Sequence, residues 1–196
     1  MLAACMMGSA LITVGIAEVP DPPTDGKTGQ PMVRHTGHVG AHADWCFRHV
    51  TRSEFRLAIE DCDVALTAYP TDAKIYSNRG SARMMLHQPD LAIPDFEVAI
   101  RLTPDNAELH YNRATAFALV GKYAKAIDGY TDAIRFGPKF SPAYFNRAIM
   151  FERLGEPDKA VADYRKVLEL APSFAPARRN LARLRADSHW RGTTAP

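Results

Sequence analysis

Asn78, Asn112, Asn146 and Asn180 recur at intervals of 34 residues. A primary amide carries two N–H donors and a carbonyl acceptor, the set that a peptide bond also presents. A series of amides at fixed spacing could therefore hold the backbone of an extended polypeptide. The other residues with chemical potential are less ordered. Cys5, Cys46 and Cys62 are the three thiols, too few for a disulfide-dense miniprotein and without zinc-site spacing. His35, His38, His42 and His49 cluster at spacings of three, four and seven, but Gly37 and Gly40 interrupt the segment. Solvated linker histidines are expected there rather than a metal site. Gly26-Lys27-Thr28 resembles the end of a phosphate-binding loop, yet Asp21 stands where that loop needs glycine, and no strand–loop–helix pattern surrounds it. No G-x-S-x-G, H-E-x-x-H or glycine-rich nucleotide fingerprint occurs. Glu152, Asp158 and Asp163 are scattered along helical patterns and are expected on solvated faces, not paired for acid–base catalysis. The residues thus point to a non-enzymatic chain with no cofactor and no metal.

The composition agrees with a globular domain. The chain has 196 residues, 46% hydrophobic and 23% charged, with a net charge of +2 and a pI near 8.5. So balanced a charge gives no footprint for nucleic acid. Residues 2–17 (LAACMMGSALITVGIA) carry no charge and fall short of the roughly 20 apolar residues that span a bilayer as a helix. They suit the apolar core of an export signal, with Gly15-Ile16-Ala17 as a small-residue cleavage point. The usual leading cation is missing. Leu2-Ala3-Ala4-Cys5 resembles a lipoprotein box but sits ahead of the apolar run. The expectation is a signal over 1–17 and a mature chain without a membrane span, exported to a bacterial periplasm. Cytoplasmic residence is the alternative. Residues 18–40 are rich in Pro, Gly and Thr without apolar periodicity, which predicts a flexible linker.

The amides belong to a wider 34-residue period. With Ala73, Ala107 and Ser141 aligned, Tyr76, His110 and Tyr144 superpose, as do Arg79, Arg113 and Arg147. So do the small Gly80, Ala114 and Ala148, the aromatic Phe96, Tyr130 and Tyr164, and the closing Pro104, Pro138 and Pro172. Within a block, Ala126, Ile127, Tyr130, Ala133 and Ile134 form one stripe of an α-helix. Gly121 and Gly155 fall between two helical halves, where a turn needs a permissive backbone. Pro157 suits the first turn of a second helix. Each block thus reads as helix–turn–helix, and because one pair cannot cover its own apolar face, the blocks must stack.

This pattern resembles the tetratricopeptide repeat, over Ala73–Phe174. The resemblance implies an all-α, right-handed solenoid with repeats at 73–106, 107–140 and 141–174. A degenerate capping repeat is expected at 41–72, where Trp45, Cys46 and His49 break the pattern. A capping helix is expected at 175–190. Two departures stand out. Arg79, Arg113 and Arg147 replace apolar residues, so their stems are expected to cover the core while the heads reach solvent. Pro94 lies inside a second helix and should cost a hydrogen bond or kink it.

The resemblance further implies function. In this family the first helices line a concave groove, and the asparagine at the sixth place often bonds an extended peptide. Lys74, Asn78, Tyr111, Asn112, Phe145, Asn146 and Asn180 are therefore the candidate groove residues. The alternative is that the asparagines only join repeats. Lys74, Asn78 and Asn112 also match a clamp for C-terminal carboxylates, but Pro142 and Asn146 stand where its further Lys and Arg belong, so that grip would be weak. The eighth and twenty-fourth places of a pair face each other, which makes a Cys46–Cys62 disulfide the expectation in an exported chain and two buried thiols the alternative. The partner is expected to be a protein or peptide, bound by a non-enzymatic adaptor. The other reading is an assembly or envelope subunit using its outer faces, and the ends of a short solenoid could also self-associate.

Overall fold

A computed structural model describes the backbone of residues 39–192 and the side chains of residues 39–186. Cys5, His35, His38, the expected signal and residues 18–38 of the expected linker lie outside the described residues. Within them the chain is all α-helix: α1 (Val39–Thr51), α2 (Phe55–Ala68), α3 (Ala73–Met85), α4 (Pro89–Leu102), α5 (Ala107–Leu119), α6 (Tyr123–Phe136), α7 (Ser141–Arg153), α8 (Pro157–Leu170) and α9 (Ala175–Gly192). Val39 and Gly40, assigned from sequence to the linker, form the first turn of α1. Each helix packs on the next, and α1, α3, α5 and α7 also touch in succession. The result is a stack of four helix pairs closed by α9, the solenoid that the period requires. No helix among the described residues is long and apolar enough to cross a membrane.

Local chemistry sets the boundaries. Counting each pair from Val39, Ala73, Ala107 and Ser141 as place 1, place 15 is the turn between its helices. Gly121 and Gly155 adopt φ of 75° there, and Ser53 and His87 adopt 62° and 58°. A side chain in this left-handed region crowds the following carbonyl. Ser53→Gly and His87→Gly should therefore each raise stability by about 0.5–1 kcal/mol, read as a higher urea midpoint at unchanged slope. At the joints between pairs, the Asp72 carboxylate accepts from the Lys74 N–H at 2.8 Å. Asn106 accepts from Glu108 and Leu109. Both are N-caps. Pro94 does not break α4; the Asp90 carbonyl that loses its donor belongs to an exposed residue that water can reach.

The core repeats one contact. Place 24 carries Phe96, Tyr130 or Tyr164, the largest fully buried side chains, and place 8 opposite carries Gly80, Ala114 or Ala148. A methyl added at Gly80 would lie 2.9 Å from the Phe96 ring, so the small residue is what admits the ring. In the first pair these places hold Cys46 and Cys62, whose sulfurs lie 2.10 Å apart.

Beside this contact runs an ionic one that the sequence reading did not expect. Asp163 is 6% exposed, not on a solvated face, and its two oxygens accept from Arg147 Nε and Nη2, both at 2.8 Å. Asp95 is buried likewise and takes Arg79 Nη2 and Arg83 Nη1 at 2.7 Å each. The arginine heads therefore do not simply reach solvent; they turn inward to compensate carboxylates that the helix pairs have desolvated. Only Asp158 of the three acidic residues is exposed, since Glu152 is half-buried and accepts from the Tyr164 hydroxyl at 2.6 Å. In the first pair Asp61 is again buried, with His42 Nδ1 at 2.8 Å and His49 Nδ1 at 2.7 Å. These two histidines, expected in a solvated linker, are core residues on the inner face of α1. The third pair has Gly129 instead of an acid. A methyl there would lie 2.9 Å from the Ala114 methyl, so α5 and α6 meet backbone against side chain.

Candidate functional site

The face formed by the first helices is the candidate site. The amide side chains of place 6 all lie half-buried on it, but they are not equivalent. Asn146 donates from Nδ2 to the Tyr111 hydroxyl at 2.9 Å, one pair back. Asn180 donates to the Tyr164 hydroxyl at 3.0 Å. In both, part of the amide is already used to join neighbouring pairs. Asn78 and Asn112 make no side-chain hydrogen bond within the described residues, so their amides keep full capacity for an incoming backbone.

The other candidates also divide. Lys74 is exposed at the start of α3. Tyr111 is half-buried, held edge-on against Phe140 at 5.1 Å and tilted on Tyr130 at 5.6 Å. It sits on α5, between the helices that carry Asn78 and Asn146, and its hydroxyl accepts from the latter. Phe145, expected to vary the groove wall, is 5% exposed. It packs between Tyr164 and Phe174, with ring centroids 5.6 and 5.0 Å away. These are the contacts that Tyr111 makes one repeat earlier, but Phe145 has no hydroxyl to bring to the surface and is buried in the cluster with Ala177 and Leu181 of α9. Met85 and Leu119, at place 13, are about half exposed and add apolar surface that the sequence reading missed. Their signal was the 34-residue spacing between them. Pro142, at the place where a carboxylate clamp needs a cation, offers no donor, and no cation replaces Asn146.

The tyrosines beneath the face are neutral struts. Burial pushes the Tyr130 phenol well above its usual 10.0, against a weaker opposing bond from Thr115. Burial and the bond to Glu152 do the same for Tyr164. The folded chain thus holds these two protons to higher pH than the unfolded chain does. The stability they contribute is complete below the unfolded value near 10 and declines as pH rises above it. Alkaline titration of the urea midpoint should show this decline, and Y130F/Y164F should flatten it. Among the described residues no group of three or more His, Cys, Asp or Glu side chains is arranged to hold a metal ion.

Comparison with known proteins places this geometry. Models of the tetratricopeptide repeat match residues 77–139 and 141–174. No curated protein sequence matches the chain. Among solved structures, the MamA protein superposes with a TM-score of 0.74 at 23% identity, covering 79% of this chain and 85% of that one. The tetratricopeptide domain of Arabidopsis OM64 is 30% identical with a TM-score of 0.57, covering 58% of this chain and 94% of that one. The first such domain of Spaghetti (RPAP3), solved with the HSP90 peptide SRMEEVD, is 26% identical with a TM-score of 0.58, over 60% and 93% of the two chains. Stacked helix pairs, ring-on-small contacts repeated every 34 residues and these matches lead to one assignment: the chain belongs to the tetratricopeptide repeat family.

Proposed function

We propose that this chain is a non-enzymatic interaction scaffold that holds an extended polypeptide on its first-helix face, chiefly between α3 and α5. The observation that carries the reading is the pair of uncommitted, half-buried amides of Asn78 and Asn112 on adjacent first helices, with Lys74 and the Tyr111 wall beside them. The peptide carried by the similar RPAP3 domain supports it. Asn146 and Asn180 serve this site indirectly, by fixing the rings and helices behind it.

An internal contrast tests the proposal. A partner recovered from the organism's own extract and then purified should bind N78A/N112A about 5- to 150-fold more weakly, as expected when roughly 1–3 kcal/mol of amide–backbone bonding is removed. Asn180→Ala should instead lower stability by about 1 kcal/mol and leave affinity nearly unchanged. Unchanged affinity in N78A/N112A would move binding to the outer helix faces, the assembly-subunit reading.

Export to a periplasm belongs to the same proposal. Its support is the apolar, uncharged stretch at 2–17 and the facing positions of Cys46 and Cys62, which suit an oxidising compartment. Cell fractionation with a thiol count on the denatured protein tests it. A cytoplasmic chain with free Cys46 and Cys62 would overturn it.

A further inference from the structure

The first helix pair is built differently from the other three. Its inner α1 face is His42, Cys46 and His49, and its α2 face is Ala58, Asp61, Cys62 and Ala65. Place 24, which buries Phe96, Tyr130 or Tyr164 elsewhere, holds Cys62; place 8, which admits the ring, holds Cys46. The bonded sulfurs occupy the slot of a ring on a small residue. Little else fills it: the buried apolar cluster here is Cys46, Cys62, Ala65 and Ile75, flanked by Ala43 and Leu66. The remaining inner groups are the Asp61 carboxylate, two imidazoles and the half-buried Trp45 ring, which lies edge-on to His42 at 5.2 Å. One imidazole is hydrogen-bonded to that carboxylate, and the other brings its Nδ1 to 2.7 Å from it without an aligned bond. Ile75 of α3, 2% exposed, is covered by this pair.

From this we infer that the Cys46–Cys62 bond is a redox latch on the first helix pair. Oxidised, the pair folds and caps the stack. Reduced, the pair opens by itself and bares the α3 flank around Ile75, while the later pairs remain folded. A dithiol reductant delivers two electrons and two protons, leaving two cysteine thiols and an oxidised dithiol. Two unbonded thiols cannot share the space of one S–S bond, and they bury far less apolar surface than the ring found in the other pairs. Both sulfurs are fully buried, so the reductant reaches them only when the pair opens, and once reduced the pair does not close again. The latch resists brief exposure and responds to a sustained change of redox poise.

Amide hydrogen exchange of the full chain, with and without dithiothreitol, tests the latch. In the reduced chain the amides of Val39–Ala68 should exchange on the order of 100-fold faster, the factor expected for freeing a loop of this length. Those of α5–α8 should be unchanged. A second variant, C46A/C62F, installs the alanine–ring contact of the other pairs and should keep Val39–Ala68 protected in reductant. Reduced wild type with full protection of Val39–Ala68 would overturn the latch. So would exchange that speeds up uniformly through α8, or a C46A/C62F chain with protected α5–α8 but an open first pair.

Discussion

Tyr164→Ala should lower the unfolding free energy by about 3–5 kcal/mol, the range for deleting a large buried ring. The ring is fully buried and lies in one cluster with Phe145, Ala148, Ala177 and Leu181. Its removal opens a cavity between α7, α8 and α9 at once. The hydroxyl is a second reason. It donates to Glu152 at 2.6 Å and accepts from Asn180 at 3.0 Å, so it ties α7 to α8 and α8 to α9. Tyr164→Phe separates the two effects and should cost about 1 kcal/mol. Urea unfolding of the three proteins gives the comparison. A loss below about 1 kcal/mol for the alanine variant would mean that α9 closes over the gap and that the ring is not the centre of the last pair.

Asp95→Ala should cost about 3 kcal/mol, through charge rather than volume. Its carboxylate takes Arg79 Nε at 3.1 Å and Nη2 at 2.7 Å, and Arg83 Nη1 at 2.7 Å. Removing it leaves two guanidinium groups, each about one-fifth exposed: Arg83 loses its carboxylate altogether, and Arg79 keeps only the exposed Asp63 at 2.5 Å. Breaking a buried pair from one side is more damaging than deleting all of it. Partial access of the arginines to water keeps the loss at the low end of that range. Replacing Asp95, Arg79 and Arg83 together by leucine should therefore restore most of the stability. A triple variant less stable than Asp95→Ala would refute the desolvation argument. Asp163→Ala should behave like Asp95→Ala, with Arg147 as the stranded group.

The period, the helix pairs and the ring-on-small contacts were readable from sequence because each depends on residue type at a fixed interval. The buried acids were not. Asp61, Asp95 and Asp163 share place 23, but Gly129 interrupts the series, and an aspartate is by default a surface residue. The readable sign was the arginine sixteen residues before Asp95 and Asp163, a cation with no reason to sit on an inner helix face unless an anion waits there. His42 and His49 were hidden for another reason: Gly40 argued against helix, yet it sits in the first turn of α1, where glycine does little harm. The amide series was legible as a series. Its division into amides that bond a neighbouring hydroxyl and amides that do not was not, because it turns on the Tyr111 and Tyr164 hydroxyls, which belong to other helices. Phe145 misled because its register position faces the rings of its own pair, as Tyr111 does against Tyr130 and Phe140, and only a hydroxyl at that place reaches a neighbouring amide.

The missing acid at Gly129 gives each helix pair an address. Arg79 and Arg147 are answered at 2.7–2.8 Å by an aspartate at place 23 of their own pair, whereas among the described residues Arg113 has only Asp132, three places further on at 4.0 Å, and the first pair answers Asp61 with imidazoles. Halves that look interchangeable by length and outline would therefore be mismatched if exchanged between pairs. A chain recombined at the turns inside each block, at His87, Gly121 or Gly155, would keep its contour, yet it would strand a carboxylate or a guanidinium wherever halves of different pairs met.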